Sequence, residues 1–307
     1  MIIPEVLKKT VLSIFGEKGS KWLVDFPAIF EECAEKWKLA YIVPSEHMSI
    51  NYVCFAQSKL YGDVVLKAGV PHREFYTEVK ALDIYDGRNI CKCYDHDAKL
   101  GAMLLERVRP GKQLTAISDY AKRYEIAANI ISKLPVSADD VDGFPTFTDW
   151  IERAFKRARS ENIVGEKLLS YIDTAEKHYK ELESSSRSRV LLHGDLHHEN
   201  ILLDQSDCWK AIDPKGVIGV PCLEGGRFMI NQLSMIDKGD KASCIEKMTA
   251  VIGSALGESK KTMAVCTLID MTLSTCWSFE DYIKPDDISD ILDSCKLLLN
   301  YINNRAM

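Results

Sequence analysis

The sequence predicts an α+β protein of two lobes, a small strand-containing N-terminal lobe followed by a larger, mainly helical C-terminal lobe. Three observations carry that expectation. β-branched and aromatic residues come in runs between residues 41 and 108, as short strands require. From residue 115 onward, apolar residues recur at helical spacing in one segment after another. Between the two regimes lies Pro110-Gly111, turn residues that break the strand pattern where the composition shifts. At about 100 to 200 residues per domain, a chain of 307 residues, 46% hydrophobic, buries two moderate cores without a metal or disulfide staple. The expected lobes are 1–107 and 108–307.

Taken in order, residues 4–14 and 20–38 space Trp22, Phe26, Ile29, Phe30 and Cys33 as helices do, so two helices precede the first strand. Residues 50–56 and 64–67 read as strands joined by a hairpin through Lys59-Leu-Tyr-Gly-Asp. A helix is expected at 72–84, a charged and turn-rich connection at 83–99, and an apolar strand at 101–108. Helices follow at 115–134, 146–160 and 165–183. A short buried strand at 190–192 and apolar runs at 201–203 and 211–212 come next, then helices at 223–237, 241–256, 260–281 and 286–303. No repeat or low-complexity tract interrupts them.

A net charge of −6 and a pI near 5.7 argue against a nucleic-acid partner, which calls for a basic patch. They suit a small cationic ligand, although a weakly negative charge is also ordinary for soluble proteins. The ten cysteines are scattered rather than set in a dense framework, so they read as reduced thiols of a cytoplasmic protein. No leader pattern opens the chain, and no apolar stretch reaches the roughly 18 residues of a membrane span.

The chemistry concentrates between residues 190 and 216. A strand, Val190-Leu-Leu, runs into the polar turn His193-Gly-Asp-Leu-His-His-Glu-Asn200, and Asp213 closes the next short strand. One carboxylate able to orient or deprotonate a hydroxyl, followed by two hard oxygen ligands, is what metal-assisted phosphoryl transfer needs. Asp195 and Asn200 keep the spacing of a kinase catalytic loop, with Asp213 as the later metal-binding acid. Upstream, Lys67 ends the apolar strand Val64-Val-Leu, where a bare ammonium is costly without a partner. Glu74 and Glu78 on the following helix are the candidates, and Glu78 is preferred.

Weaker signals accompany these. The segment 44–53 has no glycine, so if its turn covers a nucleotide it does so through Ser49, Asn51 and backbone amides; an ordinary lead-in to a strand fits equally. Glu106 and Val108 are nucleotide-binding candidates through their main chain alone. Cys91, Cys93 and His96 gather only three candidate ligands and lack a CxxC spacing, so they read as buried strand thiols.

The signature His193-Gly-Asp-Leu-His-His-Glu-Asn-Ile-Leu, followed by Ala211-Ile-Asp-Pro-Lys-Gly, resembles the aminoglycoside phosphotransferase family, in its streptomycin kinase-type subgroup with a protein-kinase-like fold. Val65-Leu-Lys-Ala-Gly-Val-Pro-His-Arg-Glu, Leu104-Leu-Glu-Arg-Val-Arg-Pro-Gly and Cys276-Trp-Ser-Phe-Glu-Asp281 also resemble family segments. The resemblance implies Asp195 as the base, Asn200 and Asp213 as Mg2+ ligands, Lys67 on the phosphates of ATP (or GTP) and Glu78 as its partner. Glu224 stands where relatives place an acid that anchors the catalytic loop. Glu224, Trp277, Glu280 and Asp281 are the candidates for contact with a cationic substrate, although an exposed helix end would also be acidic. Val220 departs from the family, which commonly has an aspartate there.

The function implied is ATP-dependent O-phosphorylation of a small hydroxylated molecule, first an aminoglycoside or cyclitol antibiotic such as streptomycin. A housekeeping kinase of a sugar or amino-alcohol uses the same parts, and a silent nucleotide-binding protein is the third reading. The sequence leaves the oligomeric state open.

Overall fold

A computed structural model of the chain describes residues 3–46, 48–138, 141–160, 165–186, 188–280 and 288–304. They form two compact units, one of residues 1–111 with 204–210 and the other of residues 112–203 with 211–307.

The first unit opens with α1 (Glu5–Lys36), two helical segments meeting at Gly16, whose φ of 53° and ψ of −125° break the helix. This is where two leading helices are expected. The segments fold back closely enough that a Cβ on Gly19 would lie 2.5 Å from the Val11 carbonyl oxygen. Behind them stands a five-stranded sheet, in the order β1 (Leu39–Pro44), β2 (Tyr52–Ser58), β3 (Gly62–Ala68), β5 (Ala102–Glu106) and β4 (Cys93–Asp97). Its neighbouring strands are antiparallel.

Alternation on β2 and β3 turns Tyr52, Cys54, Ala56, Val64 and Leu66 toward Leu7, Val11, Trp22 and Phe26 of α1, all buried in one core. Each such large side chain contributes about 2 kcal/mol by leaving water. Helix α2 (Arg73–Tyr85) follows β3 and ends on Asp86 in the left-handed conformation, with φ at 45°. Within the stretch expected to be only a charged connection, the structure has the strand β4. All five of its residues are half-buried, and as an edge strand it pairs with β5 alone. Its sequence Cys-Tyr-Asp-His-Asp therefore carries no apolar alternation to betray it.

Short β6 (Pro110–Gln113) leads into the second unit. There the helix expected from residue 115 begins later, as α3 (Tyr120–Lys133), because the Asp119 carboxylate caps it by accepting the Ala121 and Lys122 N–H groups. After β7 (Val136–Ser137) come α4 (Phe147–Ser160) and α5 (Glu166–Ser185). Next stand β8 (Val190–Leu192), β9 (Ile201–Asp204), β10 (Trp209–Ala211) and β11 (Val217–Gly219), and then α6 (Glu224–Ser234), α7 (Lys241–Leu256), α8 (Lys260–Glu280) and α9 (Ile288–Asn304). β11 and β7 flank β8 as antiparallel partners.

The α8 helix is the hub of this unit, buried almost all round from Met263 to Leu273. Its threonines Thr267, Thr272 and Thr275 return their hydroxyls to the carbonyl four residues back, at 2.8, 2.8 and 2.6 Å. That leaves one acid, Asp270, inside an apolar helix. Glycine makes room for its neighbour α6: a Cβ on Gly226 would stand 2.8 Å from the Cys266 carbonyl oxygen. The two helices therefore approach at the point where Arg227 projects.

Candidate active site

In the first unit, Lys67 leaves the end of β3, and its Nζ meets Oε1 of Glu78 on α2 at 2.6 Å. Their side chains are 9% and 11% exposed. A buried ammonium at the end of an apolar strand is tolerable because of this partner; Glu74, one turn earlier on α2, is exposed.

The other nucleotide candidates of this unit are placed differently. Ser49 is exposed in the bend before β2. The Glu106 carboxylate is engaged by Lys210 Nζ at 2.6 Å and by the Lys92 N–H at 3.0 Å, and its own N–H donates to the Lys92 carbonyl oxygen at 2.7 Å, so its side chain and N–H brace the lobe. Val108 is buried, and its carbonyl oxygen stands 2.8 Å from where a Cβ on Gly111 would lie. Gly111 has a φ of 74°.

In the second unit, the turn after β8 is built around His193. Its ring is fully buried: Nε2 lies 2.8 Å from the Ile212 carbonyl oxygen, and Nδ1 lies 3.2 Å from the Asp195 N–H. A carbonyl only accepts, so Nε2 carries the proton and Nδ1 accepts from Asp195. Burial pushes this imidazole down to about 4, which keeps it neutral and removes it from proton transfer. Its main chain ties in the neighbouring loop, the carbonyl accepting from the N–H groups of Lys215 and Gly216. The Asp195 turn and the Asp213 loop thus share one support.

Gly194 has a φ of 78°, and a Cβ there would meet Trp150 and Val217, each at 2.9 Å; no other residue type fits. The side-chain amide of Asn200 donates to the Asp195 carbonyl oxygen at 3.0 Å, which leaves its Oδ1 as a free neutral acceptor. Asp213 sits half-buried at a φ of 59°.

The two adjacent histidines pack the turn. The His197 ring caps the one-turn helix 198–200 by accepting the Glu199 N–H. His198 is buried, stacks on Phe228 at 4.3 Å between centroids, and donates from Nε2 to Gln232 Oε1 at 2.7 Å. Burial lowers it to about 4 as well.

Glu224 lies against the turn itself, away from solvent. Its carboxylate is buried and accepts the His193 and Gly194 N–H groups at 2.6 and 3.2 Å, which fastens the start of α6 to the turn. Burial raises it from 4.5 to about 7, against the pull of those two donors. Beside it Val220, buried, precedes Pro221 with no side-chain cap; the turn holds without a carboxylate at that position.

Trp277 is half-buried, edge-on to Trp150 at 5.3 Å, with the Arg227 guanidinium 5.3 Å above its ring. The Glu280 side chain and Asp281 lie outside the described residues.

Two charged side chains not singled out from the sequence lie beside Asp195. Arg227 Nε stands 3.7 Å from Oδ1 of Asp195 and 3.3 Å from Oδ2 of Asp270. The Asp195 side chain is 29% exposed and that of Asp270 only 4%. Both Arg227 Nε and Asp270 Oδ2 are buried and make no hydrogen bond. Burial raises the Asp270 carboxyl to about 6, while Arg227 pulls it down. Arg227 also lines an open cavity of roughly 210 Å3 with Asn231, Lys241, Ser274, Ser278 and Asp290. A signal for Asp270 was present: it is the one acid between residues 262 and 279.

Residues 63–282 match the profile of the aminoglycoside/hydroxyurea antibiotic resistance kinases. The chain belongs to that family. It is a phosphotransferase with a hydroxyl group as acceptor, and it binds ATP.

Curated relatives of this kinase include the streptomycin 6-kinase of Streptomyces glaucescens, 23% identical over 91% of both chains. The hydroxyurea phosphotransferase of Kitasatospora aureofaciens is 26% identical over 91% of this chain and 81% of its own. Among solved structures, choline kinase LicA of Streptococcus pneumoniae superposes with a TM-score of 0.62 at 16% identity, over 90% of this chain and 99% of that one. Aminoglycoside phosphotransferase APH(4)-Ia, solved with ADP and hygromycin B, gives 0.61 at 12% identity, over 90% and 98%. These superpositions establish the kinase-like fold expected from the sequence. Among the described residues no helix is long and apolar enough to cross a membrane.

Proposed function

We propose that this kinase transfers the γ-phosphoryl group of ATP to a hydroxyl of a cationic, streptomycin-like acceptor bound in the second unit. The observation that carries the reading is one guanidinium, Arg227, set between a partly exposed carboxylate, Asp195, and a buried one, Asp270, with ion-pair distances of 3.7 and 3.3 Å and no hydrogen bond at Arg227 Nε or Asp270 Oδ2. A guanidino or ammonium group on the acceptor is met by the partly exposed Asp195 carboxylate, with the buried Asp270 adding negative charge behind Arg227. Asp195 orients the acceptor hydroxyl and takes its proton as the oxygen bonds to the γ-phosphorus and the bond to the β-phosphate breaks, with ADP leaving.

Lys67, held by Glu78, neutralises the nucleotide phosphates, and the main chain of Glu106 and Val108 meets the base. The residues fit Mg2+: the free Oδ1 of Asn200 and the Asp213 carboxylate make a hard-oxygen pair on one braced frame. The ion supplies charge neutralisation on the phosphates when bound.

A second reading, a hydroxyurea-sized acceptor, is favoured by one observation. The matching family profile names hydroxyurea, and so does the relative from Kitasatospora aureofaciens. Purified protein with ATP and Mg2+, offered streptomycin, hydroxyurea and simple amino-alcohols and read by a phosphate mass increment, separates the two. Phosphorylation of streptomycin supports the first reading, modification of hydroxyurea alone supports the second, and turnover of amino-alcohols only defeats both.

A further inference from the structure

We propose that Asp83, Cys93 and His96 form a binding site for a borderline divalent cation such as Zn2+, clasping α2 to the edge strand β4. Asp83 stands near the C-terminal end of α2, and Cys93 and His96 come from the first and fourth residues of β4. A register irregularity between Cys93 and Asp95 brings these two β4 side chains to the same side. One ligand atom from each of the three residues lies within 4.8 Å of the others. Ligands about 2.0 to 2.3 Å from a tetrahedral Zn2+ are about 3.3 to 3.8 Å apart, so closing the site takes about 1 Å of side-chain movement. The exposed Asp83 is free to make it.

Among the described residues neither the Asp83 carboxylate nor the His96 ring makes another hydrogen bond or ion pair, and the Cys93 thiol makes one weak contact, to the Asp95 carbonyl oxygen at 3.5 Å. The surrounding cations are committed elsewhere: Lys36 to Asp97 at 2.9 Å, Lys92 to Asp86 at 3.4 Å and Lys67 to Glu78. One thiolate, one imidazole and one carboxylate with an open fourth position suit zinc or cobalt rather than the hard ions of phosphoryl transfer. Cys93 binds as the thiolate and its proton goes to solvent.

The consequence lies in α2 itself. Asp83 is five residues beyond Glu78 on the same helix, so a cation here ties down the helix that presents the partner of Lys67.

Cobalt titration of the intact protein tests the site. One equivalent of Co2+ produces a thiolate-to-cobalt charge-transfer band in the near ultraviolet that is absent in Cys93→Ser and persists in Cys208→Ser. Zinc, competed against a chromophoric chelator, binds at least tenfold more weakly to His96→Gln and Asp83→Asn, and raises the unfolding temperature of the unsubstituted protein only. Circular dichroism checks each variant's fold, and if Cys93→Ser fails to fold, His96→Gln carries the test. No cobalt–thiolate band, a band unchanged in Cys93→Ser, or zinc affinity unchanged in a folded His96→Gln overturns the proposal.

Discussion

Lys67 and Glu78, in the first unit, close to 2.6 Å, whereas Arg227, in the second, stands 3.7 and 3.3 Å from Asp195 and Asp270. The first pair is a finished contact between two buried charges. In the second cluster, one guanidinium faces two carboxylates, and Arg227 Nε and Asp270 Oδ2 are buried without a hydrogen bond. Buried polar atoms in folded proteins almost always find partners, and their absence calls for a reason. The difference separates a closed hydrogen-bonded ion pair from a looser cluster in which one guanidinium serves two carboxylates. On the proposed function, Lys67 would meet a nucleotide in a position already set, while the Arg227 cluster would rearrange around an arriving acceptor.

Breaking the finished pair should have the largest effect. Lys67→Met leaves Glu78 buried without its cation and lowers unfolding stability by roughly 3 kcal/mol, with phosphotransfer lost. Adding Glu78→Leu restores most of the stability and none of the activity. Chemical denaturation with an activity assay reads both, and an unchanged stability in the single variant would refute a finished buried pair.

Glu224 sharpens the comparison, being a buried carboxylate held by backbone N–H groups rather than by a cation. Its folded value is raised from 4.5 to about 7, so across that interval the native state keeps a proton that the unfolded chain has released. The contribution of Glu224 is therefore fully present below about pH 4.5 and is lost as pH rises toward 7, a drift of about 3 kcal/mol at 1.36 per unit. Glu224→Gln removes this drift, and the stability gap between the two proteins, followed by denaturation from pH 4.5 to 7, should move against the unsubstituted protein as pH rises. A gap that stays flat means Glu224 titrates normally.

The looser cluster gives the smallest effect. Asp270→Asn keeps the shape and removes the charge, and should lower kcat/KM for a cationic acceptor about tenfold, about 1.4 kcal/mol, with the KM for ATP unchanged. Equal losses toward a cationic and an uncharged acceptor would show that Asp270 only supports the fold.

What the sequence disclosed follows from how far apart the partners lie along the chain. The turn at Asp195 and Asn200 was legible because its chemistry sits within eight residues, and Lys67 because an ammonium at the end of an apolar strand needs an acid on the next helix. Arg227 and Asp270 were not, since their meeting depends on how closely α6 and α8 pack at Gly226. Glu224 was legible through the resemblance as an acid anchoring the turn, but its depth of burial was set by the packing of α6 on the turn. The strand β4 was missed because an edge strand half-buried on both faces shows no period of two.

On the proposed function, the braced turn at residues 193–200 carries phosphoryl transfer through Asp195. Asp195→Asn keeps the backbone contacts of the turn, so the protein should fold as before and bind ATP with unchanged affinity, while kcat toward its acceptor falls by about three orders of magnitude. A folded Asp195→Asn protein that still phosphorylates its acceptor at the original rate would contradict the claim.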